Sequence, residues 1–369
     1  MCDVPALRFP EFTGEWERHK LSEVCSFYSG GTPSSSKKEY YNGNIPFIRS
    51  GELHKDYTEL FITEAGLSNS AAKLVETGDL LLALYGATSG DIAISKIKGA
   101  INQAILCIRT KQDKKFIESV WNKHVERLLQ TYLQGGQGNL SSDIVKNIPF
   151  YFANSEEQDK LAKFISLLDE RIATQNKIID KLETLIKGIR HKVFRQLRKD
   201  FGFNSTIGDI LSFEQPQRYI VSSAEYSNDD TFIPVLTANK AFILGYTTET
   251  DGIYDKGDCI IIDDFTLDCK YISFPFKVKS SAIKILTASN KFILRYTYEY
   301  LKSLELSTEE HKRHYITEIQ PYSCVLPDEN TLKTIALVFE NLAYKLANEQ
   351  SLALILNKQR QYLLSKMFI

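Results

Sequence analysis

The chain has 369 residues, 43% hydrophobic and 25% charged, with 19 Gly and 10 Pro, an ordinary globular composition. Forty-five Lys and Arg against 46 Asp and Glu leave a net charge of −1, which excludes a uniformly basic nucleic-acid coat and an acidic disordered tail. The longest apolar runs, such as Leu80–Leu84, fall far short of a membrane span. The opening MCDVPALRFPEF lacks the basic-then-apolar order of a signal peptide. A cytoplasmic protein of two or three domains, with no membrane association, is expected. Six cysteines at 2, 25, 107, 259, 269 and 324 form no CxxC pair and no four-ligand Cys/His cluster. Neither a zinc site nor any cofactor is expected.

In chain order, residues 1–154 read as a mixed block of short strands and Gly/Ser/Thr/Asn turns. A helix over 155–200 follows. Its apolar residues, Leu161, Ile165, Leu168, Ile172, Ile179, Leu182, Ile186, Ile189 and Val193, step alternately by four and three, with Gln175 filling the one gap. That is a heptad seam. Asn154-Ser155-Glu156-Glu157 supplies capping chemistry, and the basic residues between Lys187 and Lys199 suit the helix C-terminus. A second mixed block spans 201–327. A second seam over 328–369 runs through Ile335, Phe339, Leu342, Leu346, Ala353, Leu356, Leu363 and Met367, interrupted at Glu349 and Arg360.

The two seams superimpose with a constant offset of 174 residues, Gln175 falling on Glu349, and the offset points to duplication. The blocks share an order. Lys20–Val24 matches Thr206–Ile210, Ile45–Ile48 matches Ile233–Leu236, and Gly78–Leu82 matches Gly257–Ile262; the strands expected at Gln103–Ile108 and Ser281–Leu286 then correspond, both read as alternating. Each helix, about 44 residues and roughly 65 Å long, must cover its apolar stripe, and mutual antiparallel pairing is the economical solution. The expected fold class is α+β: two mixed α/β domains separated by two long antiparallel coiled-coil helices, pseudo-twofold within one chain.

Catalytic signatures are missing. Asn44-Ile45-Pro46-Phe47 and Asn147-Ile148-Pro149-Phe150 lack the second Pro of a methyltransferase loop and read as strand entries. No Gly-Lys-Ser or Gly-Lys-Thr is present. Pro327-Asp328-Glu329 is a helix cap without a nuclease's following Glu-x-Lys. A non-enzymatic chain is expected.

The arrangement resembles the specificity subunit of type I restriction–modification enzymes. Leu7–Phe12 with Gly14-Glu15-Trp16 looks like the usual start of such subunits, Gly30-Gly31-Thr32-Pro33-Ser34 like their recurring Gly-Gly-Thr-Pro segment, and Gln158–Leu197, with Leu168-Asp169 and Ile172, like their central conserved helix. Ile233–Tyr246, Ile261–Ala282 and Phe276–Ser281 resemble a second recognition-domain type. The resemblance implies a non-catalytic, DNA-reading subunit. Target recognition domains at 1–154 and 201–327 would each read one half of a bipartite, asymmetric site. Helices 155–200 and 328–369 would set the spacing and dock the methyltransferase subunits. Its implied partners are double-stranded DNA, DNA (adenine) methyltransferase subunits, two in number, and restriction/translocase subunits.

For DNA contact, Gly30, Gly31, Thr32, Pro33 and Ser34 with Lys37 and Lys38 offer backbone N–H groups, hydroxyls and cations suited to phosphate. Arg49 suits guanine, and Asn102 and Gln103 suit adenine edges. Tyr85, Gly86, Thr88 and Ser89 end an apolar strand, and Gln137 and Asn139 lie in a glycine-rich loop. In the second block the candidates are Gln217, Arg218, Tyr219, Thr237, Asn239, Lys240, Thr266, Lys279, Ser280 and Ser281, with Asp263 and Asp264 as acceptors from cytosine. Ordinary turns and surface ion pairs are the bland reading of most of these, and a metal site or a solvated turn is that of Asp263 and Asp264. For partner docking the candidates are Lys187, Arg190 and Arg195 at the helix edge, with Gln175 and Glu349 at its centre.

Charge cuts the other way. Segment 1–154 carries 17 basic and 17 acidic residues, and 201–327 carries 12 and 17. Such blocks cannot grip phosphates strongly alone. The alternative reading is a coiled-coil interaction scaffold presenting two ligand-binding domains, with no nucleic acid.

Overall fold

The computed structural model describes residues 4–133, 139–237, 242–306 and 313–369. The chain forms two compact units, residues 1–176 with 352–369 and residues 177–351. The sequence candidates Gln137, Asn239 and Lys240 lie outside the described residues.

In the first unit the elements run β1 (Glu17–Lys20), α1 (Leu21–Val24), β2 (Cys25–Ser29), β3 (Tyr41–Ile48), β4 (Phe61–Ile62), α2 (Glu64–Ser68), β5 (Lys73–Val75) and β6 (Leu80–Ala83). They continue through β7 (Ile92–Ile94), β8 (Gly99–Ile101), β9 (Ile105–Thr110), α3 (Lys114–Leu133), α4 (Ser142–Asn147) and β10 (Pro149–Phe152) into α5 (Ser155–Phe201). The second unit takes β11 (Ser205–Thr206), α6 (Ile207–Ile210), β12 (Ser212–Glu214), β13 (Ile233–Leu236), β14 (Ile243–Thr247), β15 (Cys259–Asp263) and β16 (Cys269–Ile272). It then takes β17 (Lys277–Val278), β18 (Ile283–Thr287), α7 (Lys291–Ser303), β19 (Ser323–Cys324) and α8 (Glu329–Met367).

The duplication read from the seams extends to sheet topology. The central antiparallel sheet has order β2-β9-β6-β7 in the first unit and β12-β18-β15-β16 in the second. A second sheet has order β4-β3-β8-β5 in one and β14-β13-β17 in the other. Its parallel pair is β3·β8 in the first unit and β13·β17 in the second. A two-stranded ribbon closes each block, β1·β10 and β11·β19.

The central sheets are covered on both faces, which explains their uninterrupted apolar runs. Leu80, Leu82, Leu106 and Ile108 pack with Phe116, Val120 and Trp121 of α3 and Leu161 and Ile165 of α5. The alternate residues Leu81, Ala83, Ile105 and Cys107 pack with Ile48, Val75 and Ile101 of the second sheet. In the second unit Ile260, Ile262 and Leu286 join Leu294, Tyr296, Phe194 and Phe339, while Cys259, Ile261, Ile283 and Ile285 join Leu236, Phe276 and Val278. The alternation expected for 103–108 and 281–286 is therefore absent: residues 105–108 and 283–286 are all buried. Both strands also begin two residues late, because 102–104 and 279–282 form turns at their entrance.

The heptad seams face inward as expected. Asn154 Oδ1 accepts from Glu157 N at 2.9 Å and Asp328 Oδ1 from Thr331 N at 3.0 Å, capping α5 and α8. Within the first unit Leu161 and Ile165 share a core with Leu364 and Met367, and Asp169 accepts from Arg360. Within the second, Leu182, Ile186 and Phe194 share a core with Leu332 and Phe339, and Gln350 reaches Glu183 at 3.4 Å. In each unit residues advancing along α5 meet residues receding along α8, an antiparallel pairing. Cys25 is half-buried and Cys107, Cys259, Cys269 and Cys324 are buried. No helix among the described residues is long and apolar enough to cross a membrane.

Candidate nucleic-acid interface

Strand register gathers the sequence candidates. In the first unit Ser29 at the end of β2 pairs with Leu106, and Ala83 at the end of β6 pairs with Ile105. Ile48 at the end of β3 pairs with Ile101, directly before Asn102. Segments 30–38 and 84–90 therefore leave the end of the central sheet at which 102–104 enters it from β8, and 49–52 leaves β3 of the second sheet beside them. Gly31 N donates to Ile101 O at 3.2 Å, Asn102 N to Ile48 O at 3.4 Å and Leu84 N to Ala104 O at 2.8 Å. Thr32 Oγ1 donates to Gln103 Oε1, and both residues are exposed. Lys37 Nζ lies 3.0 Å from Tyr40 Oη, above the same ring, and Lys38 is exposed. Asn139 is exposed beside Leu140, whose N–H donates to Leu84 O at 2.8 Å.

Gly30 and Gly31 act through close approach. A Cβ on Gly30 would sit 1.8 Å from Ile101 O, and one on Gly31 2.6 Å from the Ala71 Cβ. Only glycine lets this loop lie against β8 and bring Thr32 to Gln103. Gly86 and Gly90 have φ of 85° and 87°, which the turn after β6 requires. Ser89 Oγ donates to Leu84 O at 2.9 Å within that turn.

The second unit repeats the arrangement. Glu214 pairs with Ile285 and Asp263 with Ile283, so the ends of β12 and β15 meet the entrance of β18. Lys279 N donates to Leu236 O at 2.9 Å, the counterpart of the Asn102–Ile48 bond. Gln217, Arg218, Thr266, Lys279 and Ser280 are exposed at this end.

Residues 13–184 match the family described as the type I restriction modification DNA specificity domain. The EcoR124I/EcoR124II specificity subunit of Escherichia coli is 43% identical over 141 residues, 36% of this chain and 35% of that one. The match therefore spans about a third of that relative's length. The MjaIX specificity subunit of Methanocaldococcus jannaschii is 23% identical over 96% of this chain and 92% of its own. The S subunit of a type I restriction–modification system from M. genitalium has the same fold, with a TM-score of 0.67 over 99% of each chain at 16% identity. Residues 13–184 are thus similar to the DNA specificity domain of type I restriction–modification systems, and a weaker likeness to a specificity subunit extends over nearly the whole chain.

Several residues expected on the exposed faces of the chain are engaged inside it. Asp263 Oδ1 accepts the N–H groups of Phe265 and Thr266 at 2.7 and 2.9 Å. Asp264, 1% exposed, lies 3.2 Å from Lys284 Nζ and accepts Tyr315 N at 2.9 Å. Neither carboxylate is available to cytosine; both hold the turn after β15. Tyr219 is buried and donates to Glu214 at 2.8 Å, and Thr237 is buried. Arg49 is bound by Glu52 at 2.9 Å and Glu59 at 2.7 Å, so its fork is occupied. Against the burial that raises it, Glu52 is held at about 2 by Arg49 and by the backbone N–H groups of Arg49 and Glu59. Pro33 and Gly31 are buried, and Asn102 Oδ1 is occupied by Ala104 N at 3.1 Å.

The docking candidates divide similarly. Arg190 bonds Glu299, itself 1% exposed, at 2.9 Å inside the second unit. Gln175 is buried and Glu349 half-buried. Both therefore belong to the seam and not to an outer face. Lys187 and Arg195 are exposed, Lys187 against Glu305 at 2.5 Å. Sequence reasoning missed the outer faces of the same helices. In the first unit Ile355 and Tyr362 are exposed, and in the second Leu337 and Tyr344, and Ile178 and Leu185. Members of each pair are seven residues apart, two turns to within about 20°, and a search for this second stripe would have found them.

A polar cleft of about 1050 Å³ in the first unit lies partly against α3, α5 and α8. Its Lys115 lies between Glu118 and Asp169, and Asp169 also accepts from Arg360, so two carboxylates already balance these two cations. Among the described residues no group of three His, Cys, Asp or Glu is placed to hold a metal.

Proposed function

We propose that the chain is the non-catalytic, DNA-reading subunit of a cytoplasmic type I restriction–modification assembly. Each unit reads one half of a bipartite, asymmetric site. Residues 1–154 and 201–327 are the recognition domains, and helices 155–200 and 328–369 set the spacing between them. One observation carries this reading: in two units of the same topology, exposed polar loops leave equivalent strands at the same end of the central sheet. Their sequences differ at that end, with Thr32, Ser34 and Gln103 in one and Gln217, Arg218 and Lys279 in the other. A shared scaffold with unlike loops is what two unlike half-sites require.

The contact set in the first unit is Thr32, Ser34, Lys37, Lys38, Gly86, Gln103 and Asn139, with Tyr85, Thr88 and Ser89 shaping the turn. In the second it is Gln217, Arg218, Thr266, Lys279, Ser280 and Ser281. Gly30, Gly31, Asp263 and Asp264 position these loops. A neutral first block and a net-acidic second one support a shared clamp, in which two methyltransferase subunits supply much of the phosphate grip. Those subunits dock on the exposed apolar pairs of α5 and α8, flanked by Lys187 and Arg195, and a restriction/translocase subunit joins that assembly.

The test is motif mapping. Methylated sites are sequenced from cells carrying the methyltransferase with this chain, without it, and with residues 201–327 exchanged for another recognition block. Loss of the motif without the chain, and a change in one half only after exchange, are expected. An unchanged motif in either case, or a change in both halves, overturns the reading.

A further inference from the structure

The turn after β15 begins with Asp263 and Asp264, and the structure gives these acids an inward task. Asp264 receives Lys284 Nζ at 3.2 Å and the N–H of Tyr315 at 2.9 Å, while its carbonyl receives the N–H of His314 at 2.9 Å. Lys284, 1% exposed, donates onward to Gln215 Oε1 at 2.8 Å. One buried ion pair thus fastens the loop after β12, the turn after β15, the entrance of β18 and the backbone at 314–315 to each other.

Arg313 projects from this hub. Its guanidinium is about half exposed and lies 5.7 Å from the centre of the Phe265 ring. Nη2 reaches Ser281 Oγ at 3.4 Å, whereas Nη1 stands 3.6 Å from Asp264 Oδ2, beyond hydrogen-bond reach. The single Asp264 charge is shared between the Lys284 ammonium and the Arg313 guanidinium and cannot neutralise both, and among the described residues Ser281 Oγ alone lies within hydrogen-bond reach of Arg313. The contrast with Arg49 is direct, since two carboxylates fill that fork. An aromatic face and a hydroxyl also fix the plane of the Arg313 group. A phosphate contact needs only a cation; a fixed, planar fork with free donors matches the O6 and N7 acceptors of guanine.

We propose that Arg313 is a specificity-determining residue that reads a guanine edge in the half-site of the second unit, held in place by Phe265, Ser281 and the Asp264–Lys284 hub. This assignment rests on the DNA-reading function proposed above and adds a residue and a base to it.

The experiment maps methylated motifs in cells carrying the methyltransferase with wild-type chain, Arg313→Ala or Arg313→Lys, or with no chain, alongside the recovery and melting of each complex. Both variants should assemble as wild type. Both should relax one guanine position in one half-site by roughly ten- to a hundredfold and leave the other half intact. Lysine fails to rescue because it lacks the fork. A wild-type motif in Arg313→Ala, full rescue by lysine, or equal loss at every position overturns the assignment while leaving the DNA-reading function standing. A motif that persists without the chain overturns that function itself. If Arg313→Ala does not assemble, the lysine variant decides: relaxation at one guanine supports the assignment and a wild-type motif refutes it.

Discussion

Gly30→Ala tests how the first unit aims its loop. The added Cβ would lie 1.8 Å from Ile101 O, 2.5 Å from its carbon and 2.8 Å from Asn102 O, all backbone atoms of a paired strand and its exit. No side-chain rotation relieves these contacts, so loop or strand must retreat by about 1.2 Å to reach a tolerable separation. Overpacking of this kind costs about 1–3 kcal/mol, or roughly 2–12 °C in the melting of a unit of this size. The same shift carries Thr32 away from Gln103 and breaks the alignment of any base contact made there, worth about 1–3 kcal/mol of discrimination. Calorimetry of the assembled complex reads the first effect, and motif sequencing reads the second. The motif should degrade in one half-site only. Gly14→Ala is the control, because a Cβ there meets nothing within 4 Å. Wild-type melting together with a wild-type motif in Gly30→Ala would refute the close-approach reasoning; equal degradation of both halves would refute its assignment to one reader.

Phe194 packs against Tyr296 at 5.4 Å, Tyr300 at 5.3 Å and Phe339 at 6.5 Å between ring centres, and is fully buried. Phe194→Ala should cost the second unit about 3–5 kcal/mol, measured by denaturant unfolding; a loss below about 1 kcal/mol would contradict the seam packing. Glu52 is held at about 2 from an ordinary 4.5. The unfolded chain then binds the proton first, so this stabilisation is present above about pH 4.5 and disappears as pH falls towards 2. It amounts to about 3 kcal/mol, and Glu52→Gln should flatten that part of the acid-unfolding curve. Ile355→Lys with Tyr362→Lys should leave melting within about 1 °C, since both side chains are exposed, but weaken capture of the methyltransferase subunit in co-purification. Undiminished capture would move the docking face elsewhere.

The helices were legible because a heptad is a local signal. Leu182, Ile186, Phe339 and Leu356 all turn inward as their spacing requires. The duplication was legible for the same reason, since a constant offset needs no knowledge of contacts. What the sequence could not assign was the partner of each polar residue. Arg190 looked like an exposed basic edge, yet Glu299, 109 positions away, captures it. Asp263 and Asp264 have the composition of a reader and the geometry of a brace. Arg49 and Arg313 are chemically identical, but Arg49 hydrogen-bonds two carboxylates of its own, at 52 and 59, whereas Arg313 shares the more distant Asp264 with Lys284. Strand order hid the convergence of segments 30–38, 84–90 and 102–104, because register between distant strands sets it.

The buried cysteines have a practical consequence. Burial pushes the thiols of Cys259 and Cys269 up to about 12 and that of Cys324 to about 11. At neutral pH their thiolate fraction is of order one in ten thousand or less, and the thiolate is the reactive form. A cysteine installed at exposed Thr32 or Ser280 would therefore alkylate far ahead of them. A fluorophore could be placed on either reading loop without first stripping the cores of their small buried sulfurs, and its emission would report when that loop meets its target.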